Sequence, residues 1–131
     1  MPPPAGQYGF DRSMRLHGSP AFDAVFEARL KKNIGPLTFF AKANDLPHPR
    51  MGLSVSRRVG GAVVRNRIKR MLREAFRLGQ HDWPRGYDVV VVVRPHAPMA
   101  LTEYQRLFAS AIQAVHAESE RRDKKNERPE S

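Results

Sequence analysis

Between Arg57 and Arg77 the chain carries eight Arg or Lys residues against a single acid, Glu74. Charge this dense constrains the fold, because it must stay at the surface while the apolar residues interleaved with it are buried. At 100° per residue, Val64, Ile68, Met71, Leu72 and Ala75 fall within an arc of roughly 100°, the width of a core-facing stripe. The spacing predicts an amphipathic helix from about Ala62 to Leu78, stopped by Gly79. Arg65, Asn66, Lys69, Arg70, Arg73 and Arg77 take the opposite arc, with Arg67 and Glu74 on one flank. An ordinary solvated face mixes both signs, so that acid–base pairs at i, i+4 support the helix. Here like charges stand at that spacing, Arg65 with Lys69 and Lys69 with Arg73, and each such pair costs a few tenths of a kcal/mol. The arrangement makes sense beside a polyanion that relieves the repulsion.

The whole chain points the same way, with 23 basic and 13 acidic residues and a net charge of +10, yet 40% of its 131 residues are hydrophobic. It is basic and still able to bury one core. The absence of cysteine removes any disulfide framework or thiolate metal site and fits a reducing compartment. No apolar run reaches the roughly 18 residues needed to span a bilayer, and Met1-Pro-Pro-Pro-Ala-Gly6 lacks the apolar stretch of a signal peptide. A cytoplasmic protein with no membrane contact is expected.

Residues 1–13, with three consecutive prolines and few large apolar groups, read as a flexible tail. Residues 118–131 alternate five acids with five bases and read as a charged tail, frayed helix giving way to disorder. The folded domain is placed at 14–117. Within it, Ser19-Pro20 reads as an N-cap and first helical residue, with Asp23 in the first turn and Arg29, Lys31 and Lys32 near the end of a helix over about 20–30. After Gly35-Pro36, residues 37–43 alternate as a strand with Phe39 on the core side and Thr38, Phe40 and Lys42 on the other. A turn at 44–49 leads to a second strand over 51–56, and the two are expected to pair as an antiparallel hairpin. The valine run in Tyr87–Arg94 predicts a third strand buried on both faces, hence central. Thr102 and Gln105 read as a capping box for a last helix whose core stripe is Tyr104, Leu107, Phe108, Ala111, Ile112 and Val115. The order αββαβα, with room for one further short strand, defines a small single-domain α+β fold with helices packed on a central sheet.

Nothing in this pattern reads as a protein active site. His17, His48, His81, His96 and His116 sit on separate elements, and there is no HExxH, Walker loop or nucleophile elbow. Asp23 and Glu27, at i, i+4, are better read as a solvated helix face than as a catalytic pair. Charge and aromatic content fit a structural RNA-binding protein or general single-strand binder equally well. A helix-turn-helix DNA reader fits poorly, because strands rather than a partner helix flank the basic helix.

The string Gly52-Leu-Ser-Val-Ser-Arg-Arg-Val-Gly-Gly-Ala-Val-Val-Arg-Asn-Arg-Ile-Lys-Arg-Met-Leu-Arg-Glu-Ala-Phe-Arg77 closely resembles the signature of the protein subunit of bacterial ribonuclease P, with Arg65-Asn66-Arg67 as that family's RNR motif. The likeness runs from about Arg15 to Ala117 and takes in Arg15-Leu16, Phe22, Phe26 and Gly86–Pro95. It implies a ribonucleoprotein endonuclease in which a large RNA removes the 5′ leader of precursor tRNA with bound Mg²⁺, held mainly through the RNA. Also implied is a left-handed βαβ crossover through the basic helix, against the usual right-handed rule. By matching position, Arg57, Arg58, Arg65, Asn66, Arg67, Lys69, Arg70 and Arg73 would contact the ribonuclease P RNA. Phe22, Phe26 and Phe40, with Lys42 beside them, would line a cleft for the single-stranded leader. Guanidinium forks suit phosphates, and stacking on aromatic rings suits leaders of varied sequence. A phenylalanine at helical spacing is by default core, so Phe22 and Phe26 remain open between the two roles. No metal site can be placed on the protein from sequence. Gly61 stands where many relatives carry a side chain, often basic, and His96 has no assigned role.

Overall fold

The computed structural model describes residues 14–127, so the expected tail at 1–13 and the last four residues lie outside it. In chain order the elements are α1 (Ser19–Glu27), β1 (Leu30–Ile34), β2 (Leu37–Ala43), β3 (Arg50–Val55), α2 (Ala62–Leu78), β4 (Tyr87–Val93) and α3 (Leu101–Glu127). Single turns of 3₁₀ helix at Arg57–Val59 and Gln80–Asp82 flank α2.

The strand order is β1-β2-β4-β3. β1 and β2 are antiparallel, β2 and β4 are antiparallel, and β3 runs parallel to β4. The expected β2–β3 hairpin therefore does not form. β4 lies between its two would-be strands, because its unbroken valines give it an apolar surface on both faces and make it the strand that gains most from a central place. Val89, Val91 and Val93 join Leu37, Phe39, Ala41 and Met51 in the main core with α2 and α3, while Val90 lies in a smaller cluster with Leu16 and Val25 under α1. The α1-packed face and the α2/α3-packed face make the sheet the middle of three layers.

Since β2 and β3 are not neighbours, the 44–49 segment has to cross the start of β4, and polar groups hold it there. The Asn44 backbone N–H donates to the Gly86 carbonyl at 3.2 Å, and its side-chain amide donates to Asp88 at 2.9 Å. Asp88 also accepts two bonds from the Arg50 guanidinium, at 2.7 and 2.6 Å, and this holds the Arg50 pKa above its ordinary value. Gly86 has to be glycine, since a Cβ there would run into the Leu46 carbonyl and the Asn44 side chain.

The ends of three elements also differ from expectation. α1 stops at Glu27, short of the expected end near Leu30, and Leu30–Ile34, whose Lys31 and Lys32 are expected near the helix end, is an edge strand, the further short strand for which the pattern left room. Its hairpin to β2 turns at Gly35, whose φ of 58° favours glycine. Two lysines in five residues look like a helix end, but they serve equally well on an edge strand, where charge discourages further pairing. Gly18, not Ser19, is the N-cap of α1, and no side chain caps it. Thr102 lies inside the first turn of α3, where the Ala100 carbonyl accepts the Glu103 and Tyr104 N–H groups, so the capping box is not formed. At the other end, α3 continues to Glu127, well past the boundary placed at residue 117, and Ser119 is buried. Residues 118–123 thus pack on the rest of the fold.

Candidate nucleic-acid interface

α2 is amphipathic as the spacing predicts, and it spans Ala62–Leu78. Ile68, Leu72 and Ala75 are buried, joined by Phe76, which lies at the margin of the predicted stripe; Val64 and Met71 are partly buried. Asn66, Arg67 and Arg70 are exposed, while Arg65, Lys69 and Arg73 are half-buried along the same helix. Arg57 and Arg58 stand exposed on the 3₁₀ turn before it. The Arg65 Nε donates to the Gly60 carbonyl at 3.1 Å, which steadies the helix entry. Glu74 spends its charge on Arg77, whose guanidinium holds the carboxyl below its ordinary range. The Arg73 pKa is lowered as well, by partial burial and by the charge of Arg15, so here it is the charged form that is disfavoured. A guanidinium with depressed pKa beside another cation is stabilised by an arriving anion. At Gly61 the space a side chain would enter is open, so the departure there leaves the backbone unobstructed.

The second group of predicted residues lies on the α1-facing side of the sheet. Phe26 meets Phe40 edge-on, with ring centroids 4.8 Å apart. Phe22 lies over Gly52 of β3, where any Cβ would collide with its ring, so this glycine lets the aromatic reach the sheet. All three rings are half-buried, packed against the cluster of Leu16, Val25 and Val90 while keeping part of their surface open. They therefore combine a packing role with an accessible one, and Phe39, on the opposite side of β2, is fully buried as expected. Lys42 is exposed near the end of β2, in a recess it shares with Ala21, Ala24 and the Asp88–Arg50 pair.

The two groups meet. A cleft of about 200 Å³ is lined by Phe22 and Gly52 from the aromatic side and by Lys69 and Arg73 from α2, with Arg15 and His17 at its edge. A neighbouring groove is lined by Asn66, Arg70, Arg73 and Glu74. Sequence reasoning missed Lys31, whose ammonium stands 5.7 Å from the Phe40 ring centroid. The cross-strand register pairs Lys31 with Phe40 and Asn33 with Thr38, so β1 extends the aromatic face with polar groups. The turn pair Gly35-Pro36 immediately before the alternating run of β2 was the one signal of a strand preceding it.

The histidines remain dispersed. His48 and His81 border a recess beside Trp83, His96 bonds the Tyr104 hydroxyl at 2.8 Å, and His116 bonds the Tyr87 hydroxyl at 3.0 Å. Among the described residues no group of three or more His, Asp or Glu is placed to hold a metal ion, and no helix is long and apolar enough to cross a membrane.

A cationic helix face joined by one cleft to an aromatic sheet face defines a protein built to hold nucleic acid, and an α+β one with a single parallel crossover. The sequence model of the family described as Ribonuclease P matches residues 10–117. The chain is 49% identical over 97 residues to the ribonuclease P protein component of Methylococcus capsulatus (strain Bath), covering 73% of this chain and 75% of that one. In fold it is similar to a mutant ribonuclease P protein of Staphylococcus aureus, with a TM-score of 0.71 at 23% identity over 80% of this chain and 90% of the other. It is also similar to the ribonuclease P protein of Thermotoga maritima, with a TM-score of 0.61 at 24% identity over 70% of this chain and 87% of the other. The chain belongs to the bacterial ribonuclease P protein component family, and with it to the endonuclease machinery of tRNA processing. Its partner is accordingly an RNA.

Proposed function

We propose that α2 binds the catalytic RNA of ribonuclease P while the α1-covered sheet face holds the single-stranded 5′ leader of precursor tRNA, so that the chain assists cleavage carried out by the RNA. The observation that carries this reading is the shared cleft, in which Phe22 stands beside Lys69 and Arg73. A base can stack on the aromatic side while phosphates on either side of it meet guanidinium and ammonium groups. Stacking contributes about 1–3 kcal/mol per base without reading sequence, which suits a binder of diverse leaders. On α2, Arg57, Arg58, Arg65, Arg67, Lys69, Arg70 and Arg73 supply phosphate contacts, and Asn66 can give and accept hydrogen bonds at a base edge or 2′-hydroxyl.

In this reading Mg²⁺ is held mainly through the RNA. Mg²⁺ there supplies the activation of water and the neutralisation of charge that phosphodiester hydrolysis needs. The protein's part is to anchor the substrate and screen phosphates, and its help is therefore greatest when Mg²⁺ is scarce. In this reading the protein works in the cytoplasm beside newly made tRNA transcripts.

The test is cleavage of a leader-bearing precursor tRNA at low Mg²⁺ by a bacterial ribonuclease P RNA, with and without this protein. Strong stimulation, and no cleavage by the protein alone, is the expected outcome. Tight RNA binding without stimulation would move the assignment to a structural RNA-binding protein.

A further inference from the structure

We propose that the part of α3 beyond residue 117 is a clamp on the carboxyl end of α1, and that Arg122 is the residue positioning the helix that carries Phe22 and Phe26. The proposal rests on the leader-binding reading above.

α1 is nine residues long and only Val25 in it is fully buried, so it is short for a helix that must hold two rings at a fixed height over a sheet. Its last backbone bonds run from the Ala28 N–H to the Ala24 carbonyl and from the Arg29 N–H to the Phe26 carbonyl. Beyond them the chain turns sharply into β1 through Arg29, whose φ of 57° is left-handed, a conformation that residues with side chains rarely adopt. The carbonyls exposed there carry the negative end of the helix dipole and need donors. Arg122, more than ninety residues further along the chain, supplies them. Its Nη1 donates to the Ala28 carbonyl at 2.7 Å and its Nη2 to the Arg29 carbonyl at 2.9 Å. A planar guanidinium presents two N–H donors in a fixed fork that suits adjacent carbonyls, a geometry that a flexible ammonium does not hold in advance.

Arg122 is itself held in place. Glu118 lies 4.0 Å from its Nε, and the same carboxylate takes Lys32 of β1 at 3.4 Å and Arg121 at 3.1 Å. One turn on, Asp123 accepts from Arg85, in the loop before β4, at 3.3 Å. Three polar ties therefore fasten this stretch of α3 to the α1–β1 turn, to β1 and to the entry of β4. The family match ends at residue 117, so the α3 side of each tie lies past the shared pattern. Because Phe26 sits on the last turn of α1, edge-on to Phe40 of β2, the setting of that turn decides how the two rings are presented to a base.

The experiment uses the holoenzyme reconstituted with ribonuclease P RNA and R122A, R122K or F26L protein. Each is assayed on a precursor tRNA with a leader long enough to pass α1 and on one with a single-nucleotide leader. R122A is expected to raise KM for the long-leader substrate by about five- to tenfold, with kcat unchanged, since misplacing a positioning contact weakens binding geometry. KM for the short-leader substrate and affinity for the catalytic RNA are expected to stay within about twofold. R122K should recover only part of the loss. An unchanged long-leader KM in R122A, or an equal loss on both substrates, would overturn the clamp. F26L separates the two readings: if F26L raises the long-leader KM and R122A does not, the clamp alone fails. If F26L is also silent, the leader reading fails with it.

Discussion

On α2, the exposed side chains of Arg67 and Arg70 stand over a stripe of Ile68, Leu72, Ala75 and Phe76, so the groups proposed to bind RNA and the packing groups occupy opposite sides of one helix. On α1 and the sheet face beneath it, Phe22, Phe26 and Phe40 are half-buried, and in the proposed reading they do both jobs with the same atoms. The first arrangement separates stability from binding, and the second couples them. A charge on α2 can be removed with little effect on the core, whereas a ring on the α1 face cannot be altered without some effect on packing.

The sharpest contrast uses adjacent residues of β2. Phe39→Ala should cost about 4 kcal/mol of stability, the range for a large side chain lost from a packed core, and should be read as a lowered denaturation midpoint. Phe40→Ala should destabilise by about half that or less, because its ring is only half-buried, while weakening binding of precursor relative to mature tRNA by about 5- to 150-fold through a lost stack of about 1–3 kcal/mol. Equal stability losses with leader selectivity intact would place Phe40 in the core alone.

Next in size, Arg65→Ala with Arg67→Ala should weaken binding to the catalytic RNA by about a hundredfold, taking charge-assisted contacts at about 1.5 kcal/mol each. The melting temperature should fall only slightly, through loss of the Arg65–Gly60 bond, since Arg67 is exposed. The log–log salt dependence should flatten by nearly one unit per lost phosphate contact. An unchanged slope would mean that these guanidiniums do not meet phosphate.

The smallest effect concerns the acid side of the clamp. Glu118 is held below the ordinary carboxylate value of 4.5, first by its hydrogen bond from Lys32 and then by the charges of Arg121, Lys32 and Arg122. A carboxylate with lowered folded-state pKa adds stability above its unfolded pKa and loses it as the pH falls through the folded value. Glu118→Gln should therefore melt slightly earlier than the parent at neutral pH, with the gap closing below about pH 4.5. A gap that persists in acid would show that the contribution of Glu118 is not electrostatic.

Much of this molecule was legible in one dimension. α2 agrees with the pattern from Ala62 to Leu78, and β2 from Leu37 to Ala43, because each is specified by a local period and bounded by glycine or proline. β4 was placed at the centre of the sheet by its valines. The cationic face of α2 could be read for the same reason, since charge at helical spacing needs no distant partner to be recognised. β1 was hidden because Leu30-Lys-Lys-Asn-Ile34 has too few apolar residues to declare a period, and its strand character comes from pairing with β2.

What sequence determined by itself was the set of amphipathic segments and the sign of the surface they present, because both follow from side-chain chemistry and local repeat. What only the tertiary structure decided was adjacency. It placed β4 between β2 and β3, set Phe22 over Gly52 beside Lys69 and Arg73, and brought Arg122 to the carbonyls of Ala28 and Arg29. These contacts join residues tens of positions apart, and their geometry is settled by which surfaces bury best against one another, a property of the whole core that no local window contains.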